Sequence, residues 1–137
     1  MTAYVDTSVL LRLVLREPAP LEELRSYDTL LSSELIAVES YRTIDRLRTH
    51  GALTTEEAAV RVKVVTEWLE AIDLVLLRPP VLSRAGDPLP TPLGTLDAIH
   101  LATALIWRER VGPLSVATHD AALGLAARAF GFEVLGV

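Results

Sequence analysis

Residues 2–15 read TAYVDTSVLLRLVL. The first four form a short apolar run closed by an acid, which predicts a buried strand. Thr7 and Ser8 then stand where helix caps are favoured, so the spacing predicts a helix over 7–15. Asp6 is thereby expected directly behind the first strand. Strand, acid and helix within fifteen residues make the start of an α/β unit, and the remainder of the chain repeats the alternation.

Outward from this unit, Pro18 or Pro20 opens a short helix expected to run through Tyr27, and Leu30–Leu31 suggest a brief strand. Ser32 and Ser33 are expected to cap a long helix to about Thr49, stopped by Gly51. Thr54 followed by Glu57 has the spacing of a capping box. In the helix it opens, Ala58, Val62, Val65, Leu69 and Ile72 recur at helical intervals. Residues 74–77 read as a buried strand. Residues 78–94 hold five of the eight prolines and two glycines, and are expected to be a loop within one domain. Thr95 opens a helix to about Arg108 that is apolar nearly all round, hence central. A strand at 114–117, a helix at 119–130 ended by Gly131 and a strand at 132–135 complete the chain. Strands separated by helices imply a parallel sheet covered on both faces.

Composition narrows the functions. The 137 residues are half hydrophobic and 23% charged, enough for a proper core and too apolar for a disordered chain. Cysteine is absent, which removes a disulfide scaffold, a thiolate zinc site and a cysteine nucleophile. No run of about 18 uncharged apolar residues is present to span a bilayer. The start has no basic leader before Asp6, so a cytoplasmic protein without a membrane segment is expected. A net charge of −5 argues against a protein that coats DNA, but not against a nucleic-acid enzyme whose carboxylates bind cations. The mean hydropathy of +0.35 hints at a covered apolar surface, such as that of a dimer.

Four acids stand out by position. Asp6 follows the first expected strand and Asp120 the fourth, at the carboxyl ends where parallel sheets place ligands. Asp97 lies in the first turn of the apolar helix LDAIHLATALIW, and Glu39 in the second turn of the helix after Ser33. Each alone reads as a cap, a helix-dipole acid or a solvated charge. Four from four separate elements suggest convergence. Converging carboxylates repel unless a cation sits among them. Oxygen ligands suit a hard divalent ion, Mg²⁺ or Mn²⁺. Such sites often complete their shell with substrate phosphate, which points to phosphodiester hydrolysis.

The segments YVDTSVLLRL, LSSELIAVESYR, LDAIHLATAL and ATHDAALGLAARAFGFEV, in that order, resemble the PIN domain, and more narrowly the VapC-type toxin ribonucleases. The resemblance spans essentially the whole chain, 1–137, as a single PIN-like domain. It implies a three-layer α/β/α fold with a central parallel sheet of four to five strands. It also implies a metal-dependent endoribonuclease that acts as the toxin of a type II toxin–antitoxin pair. The catalytic acids fall on Asp6, Glu39, Asp97 and Asp120, and Asp6, Asp97 and Asp120 would hold Mg²⁺ or Mn²⁺. Ser8 and Thr118 would orient carboxylates or waters from behind. An RNA substrate, a cognate antitoxin and a homodimer are implied as partners. The proline-rich segment departs from the family, whose members often have a more regular helix there. Glu34 is a rival to Glu39; Glu39 fits the motif spacing better, and Glu34 would start a helix, where an acid is favoured anyway.

Other residues allow different readings. Arg42 and Arg46, three and seven positions after Glu39, could grip RNA phosphates or an antitoxin acid. His100 shares a helix face with Asp97, and His119 adjoins Asp120, so a site of two Asp and two His is conceivable; the simpler reading makes His100 a packed, hydrogen-bonded residue. Trp68 and Trp107 read as core or interface. A phosphatase with Asp6 as nucleophile would want a second aspartate two residues on, where Ser8 stands. A non-catalytic PIN-like module whose acidic pocket grips an arginine-bearing partner is the remaining alternative.

Overall fold

The computed structural model describes residues 1–137. Five strands, β1 (Thr2–Val5), β2 (Thr29–Ser33), β3 (Asp73–Val75), β4 (Ser115–Ala117) and β5 (Glu133–Leu135), form one sheet in the order β3-β2-β1-β4-β5. Every pairing is parallel, with Ala3 opposite Leu30 on one side and Ser115 on the other. Six helices connect them: α1 (Thr7–Val14), α2 (Leu35–Thr49), α3 (Thr55–Ala71), α4 (Pro79–Ala85), α5 (Thr95–Val111) and α6 (Ala121–Ala129).

The period-2 geometry of β1 divides the core. Ala3 and Val5 pack with Val9, Leu10, Ile36, Ile44 and Val65 under α1, α2 and α3. Tyr4, between them in sequence, points the other way and packs with Leu101, Leu105, Val116 and Leu123 under α5 and α6. Trp68 borders the first cluster and Trp107 the second. Both faces of the central strands are buried, as a parallel sheet requires. The expected α/β/α architecture is the one observed, with five strands.

Local details differ from the sequence reading for identifiable reasons. The capping box at Thr54 and Glu57 is present. The segment after Pro20 forms only a 3-10 turn, Glu22–Ser26. Ser32 and Ser33 belong to β2 and do not flank α2: Ser32 Oγ donates to the Val5 carbonyl at 2.7 Å. Ser33 Oγ accepts from the N–H of Leu35, the first residue of α2, from one position before the N-cap Glu34. The proline-rich segment is only partly loop. Pro79 and Pro80 occupy the first two positions of α4, where a missing N–H costs nothing, and Val81 is buried against α5.

The strand order reverses between β1 and β4. Connections from β1 run outward to β2 and β3, and the chain then crosses back to β4 and β5. A crevice opens at the carboxyl ends of strands flanking such a reversal. Asp6 leaves β1 there, its N–H donating to the Ala117 carbonyl at 2.9 Å, and Thr118 to Asp120 leave β4 beside it.

Candidate active site

Asp6, Glu39, Asp97 and Asp120 all line one cleft of about 400 Å³. They reach it from the ends of β1 and β4, the second turn of α2 and the first turn of α5. Ser8, Arg42 and Arg46 also line it, and Leu11, Leu35, Val38 and Leu96 supply an apolar rim. Glu34 is not among the lining residues; it sits at the N-cap of α2. A larger depression of about 510 Å³ between α4 and α5 is mostly apolar and has one acid, Asp87, which pairs with Arg84. The ionisable chemistry is concentrated in the smaller cleft.

Three of the acids, Asp6, Asp120 and Glu39, are each held by hydrogen bonds to one oxygen. Asp6 is 4% exposed, and its Oδ2 accepts from Ser8 Oγ at 2.6 Å and Thr118 Oγ1 at 2.9 Å. It occupies the N-cap position of α1 yet makes no side-chain capping bond, so its carboxylate is not spent on the helix. The two hydroxyls are themselves fixed: Ser8 Oγ accepts from His119 N–H and Thr118 Oγ1 from Asp120 N–H, each at 2.9 Å. Asp120 caps α6 through Oδ1, which accepts from Leu123 N–H at 3.0 Å. Glu39 accepts from Thr7 Oγ1 at 2.8 Å and from His100 Nε2 at 2.6 Å, both on Oε1.

The charge balance in the cleft is uneven. Burial, and then the neighbouring carboxylates of Asp120 and Asp6, push the Asp97 carboxyl up to about 6; His100 pulls against this and Glu39 adds to it. Burial also acts to raise Glu39, but the hydrogen bond and field of His100, with the Thr7 bond, outweigh it and hold Glu39 below the usual range. Arg42 is drawn off by Asp45 at 2.9 Å. Arg46 donates to Thr43 Oγ1 and pairs with no carboxylate.

His100 is fully buried, as its apolar helix suggests, but its partners were not legible in the sequence. Its Nδ1 lies 2.6 Å from Tyr4 Oη. His119 turns its Nδ1 to the Gly136 carbonyl at 3.3 Å. The two histidines therefore do not join the acids in a two-Asp, two-His site. Tyr4 and Thr7 are additions that sequence reasoning missed as site residues. In the sequence Thr7 reads only as a helix cap, and Tyr4 only as a strand residue.

No three of the carboxylates and histidines form a ready-made ligand cage. Magnesium sites commonly use one or two carboxylates, with waters and substrate phosphate filling the remaining positions. Carboxylates from four elements around one cleft, with Asp97 disfavoured as an anion by burial and by its neighbours, are hard donors suited in chemistry to a divalent cation.

Residues 3–128 of this parallel α/β/α chain match the family model of the PIN domain. The chain belongs to the PIN-domain family. It is 35% identical over 135 residues to Ribonuclease VapC46 of Mycobacterium tuberculosis, covering 96% of this chain and 95% of that one. It is likewise 35% identical over 138 residues to Ribonuclease VapC47 of the same species, covering 94% and 92%. Among solved structures it is similar to that of VapBC2 from Rickettsia felis bound to a promoter DNA fragment. The TM-score is 0.67 with 11% identity, covering 98% of this chain and 97% of that one, a likeness of fold.

Proposed function

We propose that the protein is an endoribonuclease dependent on Mg²⁺ or Mn²⁺ and the toxin of a type II toxin–antitoxin pair. The observation that carries this is the meeting of four acids from four elements in one cleft, in a chain similar along nearly its whole length to VapC ribonucleases. Asp6, Asp97 and Asp120 would hold the ion, with Glu39 beside them. When bound, a divalent ion supplies charge stabilisation at the phosphoryl group and lowers the pKa of water. The chain's own residues do the rest. Ser8 and Thr118 hold Asp6 by one oxygen and leave the other to the cleft. Asp120 is fixed by the cap it makes. Arg46, which lines the cleft without a carboxylate partner, would contact an RNA phosphate or an acidic antitoxin group, with Arg42 beside it.

The same reading includes a cytoplasmic location, a cognate antitoxin, one domain spanning 1–137 and a homodimer. No helix is long and apolar enough to cross a membrane. The test is cleavage of structured RNA by purified protein with Mg²⁺ or Mn²⁺, together with growth arrest on expression. Asp6→Asn and Asp97→Asn should abolish both while the protein still folds. Cleavage that persists in excess chelator would overturn the proposal. Tight partner binding without metal uptake or cleavage would favour the non-catalytic module.

A further inference from the structure

We propose that His100 is a positioning residue: held by Tyr4, it grips Glu39 by Oε1 and so presents Glu39 Oε2 to the cleft. The inference rests on the ribonuclease reading above. Its basis is a largely buried network joining five elements. Ser33 N–H donates to Tyr4 Oη at 3.1 Å. Tyr4 Oη lies 2.6 Å from His100 Nδ1 at one edge of the ring. At the other edge His100 Nε2 donates to Glu39 Oε1 at 2.6 Å. Thr7 Oγ1 donates to the same Oε1, and both hydrogen bonds on Glu39 thus fall on one oxygen.

The geometry suits placement better than filling. His100 is wholly enclosed, and a leucine would occupy that space without needing polar partners from β1, α1 and α2. Its ring meets Tyr4 edge-on, with centroids 5.8 Å apart, so the Tyr4 contact holds the tilt of the ring. Nε2 also lies 3.7 Å from Asp6 Oδ1, too long for a hydrogen bond but close enough to place the ring beside both acids. Asp97 stands one helical turn before His100 on α5. The bond to Glu39 therefore also sets α5 against α2, two helices that each carry a site acid.

The experiment measures Mn²⁺ affinity by titration calorimetry with the metal alone, and RNA cleavage in parallel. The variants are His100→Leu, His100→Gln and Tyr4→Phe, each confirmed folded by circular dichroism. His100→Leu should lose about 10–100-fold in both Mn²⁺ affinity and kcat, with KM for RNA moving less than about threefold. His100→Gln, which keeps an N–H for Glu39, should recover most of the loss, and Tyr4→Phe should fall between. In a Glu39→Gln background, His100→Leu should add nothing to the loss of metal affinity. Should His100→Leu fail to fold, the glutamine and phenylalanine variants decide by the same readouts. Wild-type Mn²⁺ affinity and kcat in all the folded variants overturn the positioning role alone. So does an additive loss in the Glu39→Gln background, or a glutamine variant as impaired as the leucine. A wild-type protein that neither takes up Mn²⁺ nor cuts RNA overturns the ribonuclease reading, and this inference with it.

Discussion

Thr118 Oγ1 donates to Asp6 Oδ2 at 2.9 Å, joining residues 112 positions apart across the switch point of the sheet. The same hydroxyl accepts from Asp120 N–H, so one threonine sets the spacing of two site acids. Thr118→Val keeps the shape and removes both bonds. Its expected effect is a loss of about 10–100-fold in kcat, the scale for deleting a group that orients a ligand. Thr118→Ser should restore most of it. Steady-state cleavage at saturating Mn²⁺ checks this, and a valine variant with unchanged kcat would contradict it.

Asp97 ties the site's electrostatics to stability. Its folded-state pKa of about 6 lies above the ordinary 3.8. A raised pKa favours the folded state below 3.8, and that contribution is lost as pH climbs to about 6. Above this window the ionised carboxylate works against the fold. In metal-free buffer near neutral pH, Asp97→Asn should therefore melt at a higher temperature than wild type while being inactive. The gap should close as the solution is acidified through the window. Added Mg²⁺ should raise the wild-type Tm and narrow the gap. Thermal melts at several pH values decide it; an asparagine variant that is less stable near neutral pH would refute the repulsion argument.

The acids were legible in the sequence because their positions follow from local rules. A four-residue apolar run ending at Asp6 can hardly avoid placing that carboxylate at a strand end, and Asp120 repeats the arrangement after β4. What escaped reading depends on contacts between distant segments. Tyr4 reads as one more apolar residue of a buried strand, and only the packing of α5 against β2 and β1 brings His100 onto its hydroxyl. Pro79 and Pro80 suggest a loop because proline breaks helix interiors, whereas here both lie at a helix start. Ser32 and Ser33 resemble caps, but pairing with β3 claims them for the sheet.

Asp120 has two tasks that substitution can separate. Oδ1 caps α6 and the other oxygen remains for the cleft. Asparagine caps as well as aspartate, while alanine costs about 1 kcal/mol. Asp120→Asn should melt like wild type yet lose activity by about 10²-fold, the scale for removing one electrostatic group from such a site. Asp120→Ala should lose stability as well. Paired melting and cleavage assays test the separation, and an active asparagine variant would confine Asp120 to capping.

Arg46 and Arg42 line the same cleft but differ in their commitments. Arg42 is paired with Asp45, which also binds Arg48 at 2.8 Å, so freeing it for a phosphate means breaking an existing ion pair. Arg46 has only the Thr43 hydroxyl to leave. Arg46→Ala should raise KM for RNA by about tenfold, the scale of a lost hydrogen bond to a charged group, with kcat nearly unchanged. It should also flatten the dependence of log affinity on log salt by about 0.7, the share of one phosphate contact on a single strand. Arg42→Ala should do less on both measures. Equal effects from the two arginines, or an unchanged salt slope, would show that the phosphate path runs elsewhere along the cleft.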